Sequence, residues 1–356
     1  MLSTKLKEAA GNSADATLYV DDVFSTYLYT GNNSTQTITN GIDLAGKGGM
    51  VWTKVRSTID DHELIDTVRG RSFSVESNTT DAQSASSVGT SLTQFNSNGY
   101  SLGTNGNANV NENAQTFVSW TFRKAAKFFD VVTWTGDGAT NRAIPHSLGI
   151  QPGFLVCKRT DTTGGWPSAH RRSGTQGFYG MELNTTGLGY DWPDYNTYIT
   201  STTFDPTQLA GGMNISGGTY VAYLFAHDTS STGIIQCGSS STNSSGNDIV
   251  DLGFEPQWVM IKPIGSAGGN WEIRDIMRGF PHTNSGASLY PNLSSAEVSS
   301  GGFYMSDSIG GTNGFQLVGK FTSQAYIYMA IRRPNKPPTS GTQLFSADIW
   351  TQTGGL

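Results

Sequence analysis

Charge is scarce in this sequence: Asp, Glu, Lys and Arg make up only 14% of its 356 residues. The 22 basic residues are outnumbered by 28 acidic ones, for a formal net charge of −6 and a pI near 5.3. Binding a phosphate backbone takes clustered cations. The densest clusters here, His170-Arg171-Arg172 and Arg332-Arg333, form no stripe, so nucleic acid is not expected as a partner. Long apolar runs are missing too. The longest, such as Tyr220 to Ala226, fall far short of the roughly 20 residues of a membrane span. The first eighteen residues hold no apolar leader segment, so the expectation is a protein made in a cytoplasm and not exported by the usual route. Cysteine is nearly absent. Cys157 and Cys237 both lie in strand-like runs and read as small buried hydrophobes rather than as a disulfide.

A persistent helical period is also lacking, while 44 glycines and long Ser/Thr/Asn tracts punctuate the chain. Short strands joined by polar turns fit that composition. The 17 Phe, 14 Tyr and 8 Trp are enough to fill cores, which separates the sequence from a disordered one.

The strongest positive signal is a repeat. "GGMVWTK" (48–54), "PGFLVCK" (152–158) and "PQWVMIK" (256–262) end on Lys54, Lys158 and Lys262, each 104 residues after the last. Other landmarks keep that order: a strand before glycine at "YLYTG" (27–31), "VTWTG" (132–136) and "IIQCG" (234–238); an arginine shortly before glycine at "TVRG", "RRSG" and "IMRG"; an asparagine turn at Asn78, Asn184 and Asn292; and a closing strand at 117–123, 220–226 and 326–332. In the closing strand Val118, Trp120 and Phe122 share one side, as do Val221, Tyr223 and Phe225, and Ile327, Met329 and Ile331; that side is the expected core face. The apolar strand before each lysine is expected to be covered on both faces.

The expected fold is therefore all-β: three tandem β-sandwich repeats, of the jelly-roll or lectin-like kind, at 24–126, 127–229 and 230–336. An N-terminal arm (1–23) and a Pro-rich exit with a last short strand (337–356) flank them. The joints "KAAK" (124–127) and "HDTSST" (227–232) are too short to be free tethers, so neighbouring repeats should pack together.

No constellation stands out as catalytic or as a metal site, and no cofactor is implied. "DDHEL" (60–64) has adjacent rather than ligand-spaced groups and reads as a loop of solvated charges. Asp191 and Asp194 beside aromatics suggest a glycosidase pair, but a turn with Asx hydrogen bonds suits them better. The Asn-x-Ser/Thr sequons, Asn78 and Asn184 among them, are compositional accidents. Trp166, Trp192 and Tyr195, outside the alternating strands, are candidates for stacking a sugar. A shared packing role competes for Trp166, because Trp271 lies at the same place one repeat later. In "LFSADIW" (344–350), Phe345, Ala347 and Ile349 form an apolar side, with Leu344, Ser346, Asp348 and Trp350 on the other; this strand, or the N-terminal arm, is expected to complete a sheet edge on a neighbouring subunit, the alternative being that both arms fold back onto their own chain.

The segments at 22–44, 48–57, 62–70 and 117–138 resemble the virion structural proteins of marine, cyanobacterial tailed phages, often described as lectin- or glucanase-like. The likeness runs from Asp22 to about Pro338 and departs at "STTFDPTQL" (201–209), where the other repeats have "NGYSL" and "GGFYM". It implies a non-enzymatic protein of the virion, tail- or fibre-associated, with other virion proteins as partners, host-surface glycan as a possible contact and a homo-oligomer, a trimer by analogy with fibres. A ligand-free capsid decoration protein and a glycan hydrolase are the alternatives.

Overall fold

In the computed structural model, residues 18–172, 177–192, 197–209, 212–265, 268–280, 286–307 and 313–336 are described. Three stretches of chain each build a large antiparallel sheet in which the closing strand lies between the opening strand and the lysine strand. In the first the order is Phe24–Thr30, Thr116–Arg123, Gly49–Val55, His62–Asp66, Phe73–Glu76, Ser84–Ala85. The second runs Phe129–Thr135, Thr219–Ala226, Pro152–Arg159, Pro167–Arg171, Phe178–Glu182, Tyr190–Trp192. The third runs Ile235–Ser241, Ala325–Arg332, Pro256–Pro263, Glu272–Asp275. The lysines fall at one register position, with Lys54 opposite Val118, Lys158 opposite Val221 and Lys262 opposite Ile327.

Smaller sheets cover the outer faces. Gln36–Thr39, Gly99–Leu102 and Leu92–Asn96 do so in the first unit, and Asp248–Asp251, Asn313–Leu317 and Phe303–Asp307 in the third. In the second unit, among the described residues, the counterpart is Ile144–Pro145 paired with Thr203–Phe204, with a single further bridge from Ile199 to Phe204. The divergent "STTFDPTQL" explains the difference. Asp205 caps a 3-10 turn by accepting from the Thr207 amide, and Pro206 has no N–H to continue a ladder. The result is an all-β sandwich fold.

Alternation along the strands sorts the side chains into two kinds of core. The outward face of the first large sheet (Val51, Ile65) packs with Ile38, Tyr100 and Leu102 of its own small sheet, and that of the third (Val259, Ile261) packs with Phe303 and Phe315. The inward faces meet in one shared cluster that includes Met50, Trp120, Phe122, Phe154, Phe225, Trp258 and Trp271. Trp258 of the third unit lies 6.4 Å from Trp120 and 6.2 Å from Phe122 of the first, both edge-on. Phe154 of the second lies 5.5 Å from Trp271 of the third. The face expected to be core is thus the one that joins the three sheets. Burial of this kind contributes about 25 cal/mol per Å² of apolar surface. Cys157 and Cys237 are both free and buried, as expected.

At the ends the chain meets itself. Asp21 accepts from the Asn335 and Lys336 amides, Asn335 accepts from the Val20 amide, and the Lys336 ammonium reaches Asp22 at 2.7 Å. Residues 20–22 and 335–336 therefore lie side by side. The strand 344–350, with Leu344, Phe345, Ala347, Ile349 and Trp350, lies outside the described residues.

Candidate functional site

The repeated polar residues converge where one unit meets the next. Each asparagine landmark holds the backbone N–H that opens the strand after the lysine: Asn78 at His62 (2.9 Å), Asn184 at Trp166 (3.1 Å) and Asn292 at Trp271 (2.9 Å). The ring so positioned enters the neighbouring unit. The Trp166 indole donates to the Glu76 and Thr79 carbonyls of the first unit, both at 3.0 Å. Trp271 donates to the Glu182 carbonyl of the second at 3.2 Å. His62, at the same place in the first unit, faces the Tyr290 backbone of the third, which acts on its ring although Nε2 has no partner of hydrogen-bond geometry.

Backbone bonds repeat the pattern around the ring. The amide of Asp60 donates to the Ser294 carbonyl (2.9 Å), Gly164 to Thr80 (2.8 Å) and Gly269 to Thr186 (3.2 Å). First to third, second to first and third to second, the set closes on itself. A backbone donor carries no residue identity, which is why unlike loops can make the same bond.

A second ring runs the other way. Asp66 accepts from the Tyr223 hydroxyl of the second unit's closing strand at 3.0 Å. His170 bonds the Tyr328 carbonyl of the third's at 2.9 Å, and Asp275 accepts from the Trp120 indole of the first's at 3.0 Å. Arg69 and Arg278, the arginines before glycine, clamp Asp66 and Asp275 at 2.6 and 2.7 Å. Asp66, His170 and Asp275 went unseen in the sequence because the position changes residue type.

The three lysines are buried at the same joints. Lys158 and Lys262 each sit 5.5 Å over the Trp166 and Trp271 rings and donate to the Gly164 and Gly269 carbonyls, while Lys54 donates to the Val55 carbonyl. Burial pulls all three down to about 8. Burial likewise holds His170 near 4 and His62 well below its ordinary value.

Several expectations change. Trp166 is fully buried in a joint and presents no face to a sugar; its polar flanks are covered by the first unit, not by water. Trp192 ends the strand Tyr190–Trp192, with its side chain outside the described set, and Tyr195 and Asp194 lie outside the described residues. Asp191 pairs with Arg172 at 3.3 Å. "DDHEL" is no solvated loop: His62 and Glu63 open a strand that is buried throughout. Glu63 stands opposite Glu76, and burial followed by that neighbour raises it well above the usual carboxylate range. Among the described residues no group of three His, Cys, Asp or Glu side chains could hold a metal ion.

These contacts fasten units together. Compared with known proteins, the chain matches over residues 20–334 a family described as "Domain of unknown function (DUF7483)", and it belongs to that family. No curated protein matches it.

Proposed function

We propose that this DUF7483 chain is a non-enzymatic structural protein: one polypeptide that folds three β-sandwich units into a closed, pseudo-three-fold body and serves as a component of a tailed-phage virion. The observation that carries the reading is the pair of closed hydrogen-bond rings. Lysines, histidines, aspartates and tryptophans of the sort that would do chemistry in a cleft are instead buried between units and hydrogen-bonded there. A body held in this way resists deformation, as a particle component must. The sequence likeness to phage virion proteins supplies the setting. A trimer of chains needs surfaces other than these joints, because each joint is already occupied within the chain; the arms at 1–23 and 337–356 are the proposed attachment point to other virion proteins.

Quantitative mass spectrometry of purified particles whose genome encodes this chain tests the proposal. The expected result is a fixed copy number per particle. Presence in the lysate without presence in particles would overturn the virion role, and turnover of laminarin or host polysaccharide by the pure chain would overturn the non-enzymatic one.

A further inference from the structure

An open trough follows the strand Phe129–Thr135, where the second unit meets the first. It consists of two hollows of about 460 and 550 Å³ that share Val68, Thr133, Trp134 and Thr135. Its floor is apolar: Trp134 stacks on Tyr220 at 5.1 Å, and Val68, 43% exposed, closes the side toward the first unit. Its walls carry the hydroxyls of Thr133 and Thr135, both exposed, and of Thr160 and Thr219, which share one hydrogen bond at 2.6 Å.

Charge sets this trough apart from the rest of an acidic molecule. Arg69, Lys124 and Arg142 line it and no carboxylate does. Their counterions, Asp66, Asp130 and Asp137, at 2.6, 2.9 and 3.4 Å, are not among the lining residues. Two buried polar atoms of the lining residues have no partner in the protein: Nη1 of Arg69, whose side chain is only 5% exposed, and Oε1 of Gln83. A donor that wants an acceptor and an acceptor that wants a donor thus lie beside a row of hydroxyls.

We infer that this trough binds an acidic polysaccharide, with its carboxylate or sulfate groups toward Arg69, Lys124 and Arg142 and its hydroxyls toward the threonines and Gln83. A sugar chain supplies both hydrogen-bond roles and apolar C–H edges for the exposed Val68, and a shallow, open groove suits a polymer that passes through rather than a small molecule that is enclosed. Three cations that already have counterions are too few for a nucleic-acid track. The inference gives the proposed particle protein a ligand class, yet stands apart from that role: a particle component that fails the titration below keeps its structural role, and a binder absent from particles loses only its setting.

Calorimetric titration of the full chain with an oligouronate, a sulfated galactan oligomer, the carboxyl-reduced oligouronate and a single-stranded oligonucleotide of matched charge tests it. At least one acidic glycan should bind, its neutral or reduced form at least about tenfold more weakly. Thr133→Phe with Thr135→Phe, both exposed positions, should fill the trough and abolish binding while the melting temperature holds; Arg142→Gln should weaken it and flatten its salt dependence. Silence with both acidic glycans, equal binding of the reduced form, indifference to the filling substitutions, or tightest binding of the oligonucleotide would each overturn it.

Discussion

The joint between the third and first units differs from the joint between the second and third, although both use the same backbone frame. The closing joint is charged. Arg56 grips Glu297 with two nitrogens at 2.8 and 2.7 Å, Arg278 adds a contact at 3.3 Å, and Asp275 takes both the Trp120 indole and the Arg278 guanidinium. At the second-to-third joint the corresponding work falls to neutral groups and carbonyls: Trp271 to Glu182, His170 to Tyr328, and the Lys262 ammonium to the Thr185 carbonyl. Among the described residues, two other ion pairs cross a unit boundary, Lys124–Asp130 over the first short linker and Lys336–Asp22 at the chain ends; Arg56–Glu297 is the one that joins segments distant in sequence at a joint. Connectivity accounts for the contrast. The second and third units are held close by a short linker, whereas Arg56 and Glu297 are 241 residues apart. Bringing such distant segments together carries a larger loop-closure entropy. Between these two joints, directional, charge-assisted bonds are concentrated at the one to which the chain itself gives less help.

If that account is right, the closing joint should be the costlier one to cut. Asp275→Ala strands a buried indole N–H and a guanidinium with no exposed side-chain surface, and should cost about 3–5 kcal/mol. His170→Ala removes the matching contact of the second joint but leaves only one carbonyl, that of Arg171 or Tyr328, without the neutral imidazole's single N–H, at a cost of about 1–3 kcal/mol. Urea unfolding of both variants decides the matter. Equal losses would mean that the closing joint has no special standing.

A smaller cut sharpens the comparison. Glu297→Gln keeps the shape of the Arg56 contact and removes its charge, and should cost about 1 kcal/mol at low salt because both side chains retain some exposure. At 1 M salt the difference from the unaltered chain should shrink, since exposed charge is screened over a few ångströms. A loss that does not change with salt would assign the contact to packing instead.

What could be read from the sequence was whatever repeats in kind. Period-two alternation marked the face of Val118, Trp120 and Phe122, and the equal spacing of Lys54, Lys158 and Lys262 marked one register position in three sheets. The asparagines stood out as turns, though what they hold, the amide of the next unit-bridging ring, was hidden. The joints stayed out of sight because their acceptors are main-chain carbonyls and their donors change type. Exposure was the least legible property. Glu63 and Glu272 sit at matching strand positions and both are buried, yet only Glu272 has cations at hand: Lys320 at 2.6 Å and Arg274 at 3.0 Å outweigh its burial and lower it, while Glu63 is raised. Nothing local in "DDHEL" says that a strand lies there with the third unit packed beside it.

The smallest effect concerns the feature the joints share. Lys54, Lys158 and Lys262 titrate near 8 in the folded chain against an ordinary value of 10.5, with burial as the leading cause in each. A group depressed by folding contributes stability that is complete above its unfolded value and is lost as pH falls through its folded value. From pH 8 upward the unfolded chain therefore holds lysine protons that the folded chain has released, and stability should rise. From near pH 9 the slope lessens, as the two thiols of Cys157 and Cys237, raised by burial, ionise in the unfolded chain and pull the other way against three lysines. The melting temperature should thus climb between pH 8 and 9, and a chain carrying Lys54→Met, Lys158→Met and Lys262→Met should not show the climb. Because the three lysines are equivalent, each single substitution should remove a similar share of the slope. A slope that Lys54→Met leaves untouched would mean that Asp60 and Asp61, which raise Lys54 against its burial and have no counterpart at Lys262, cancel its share.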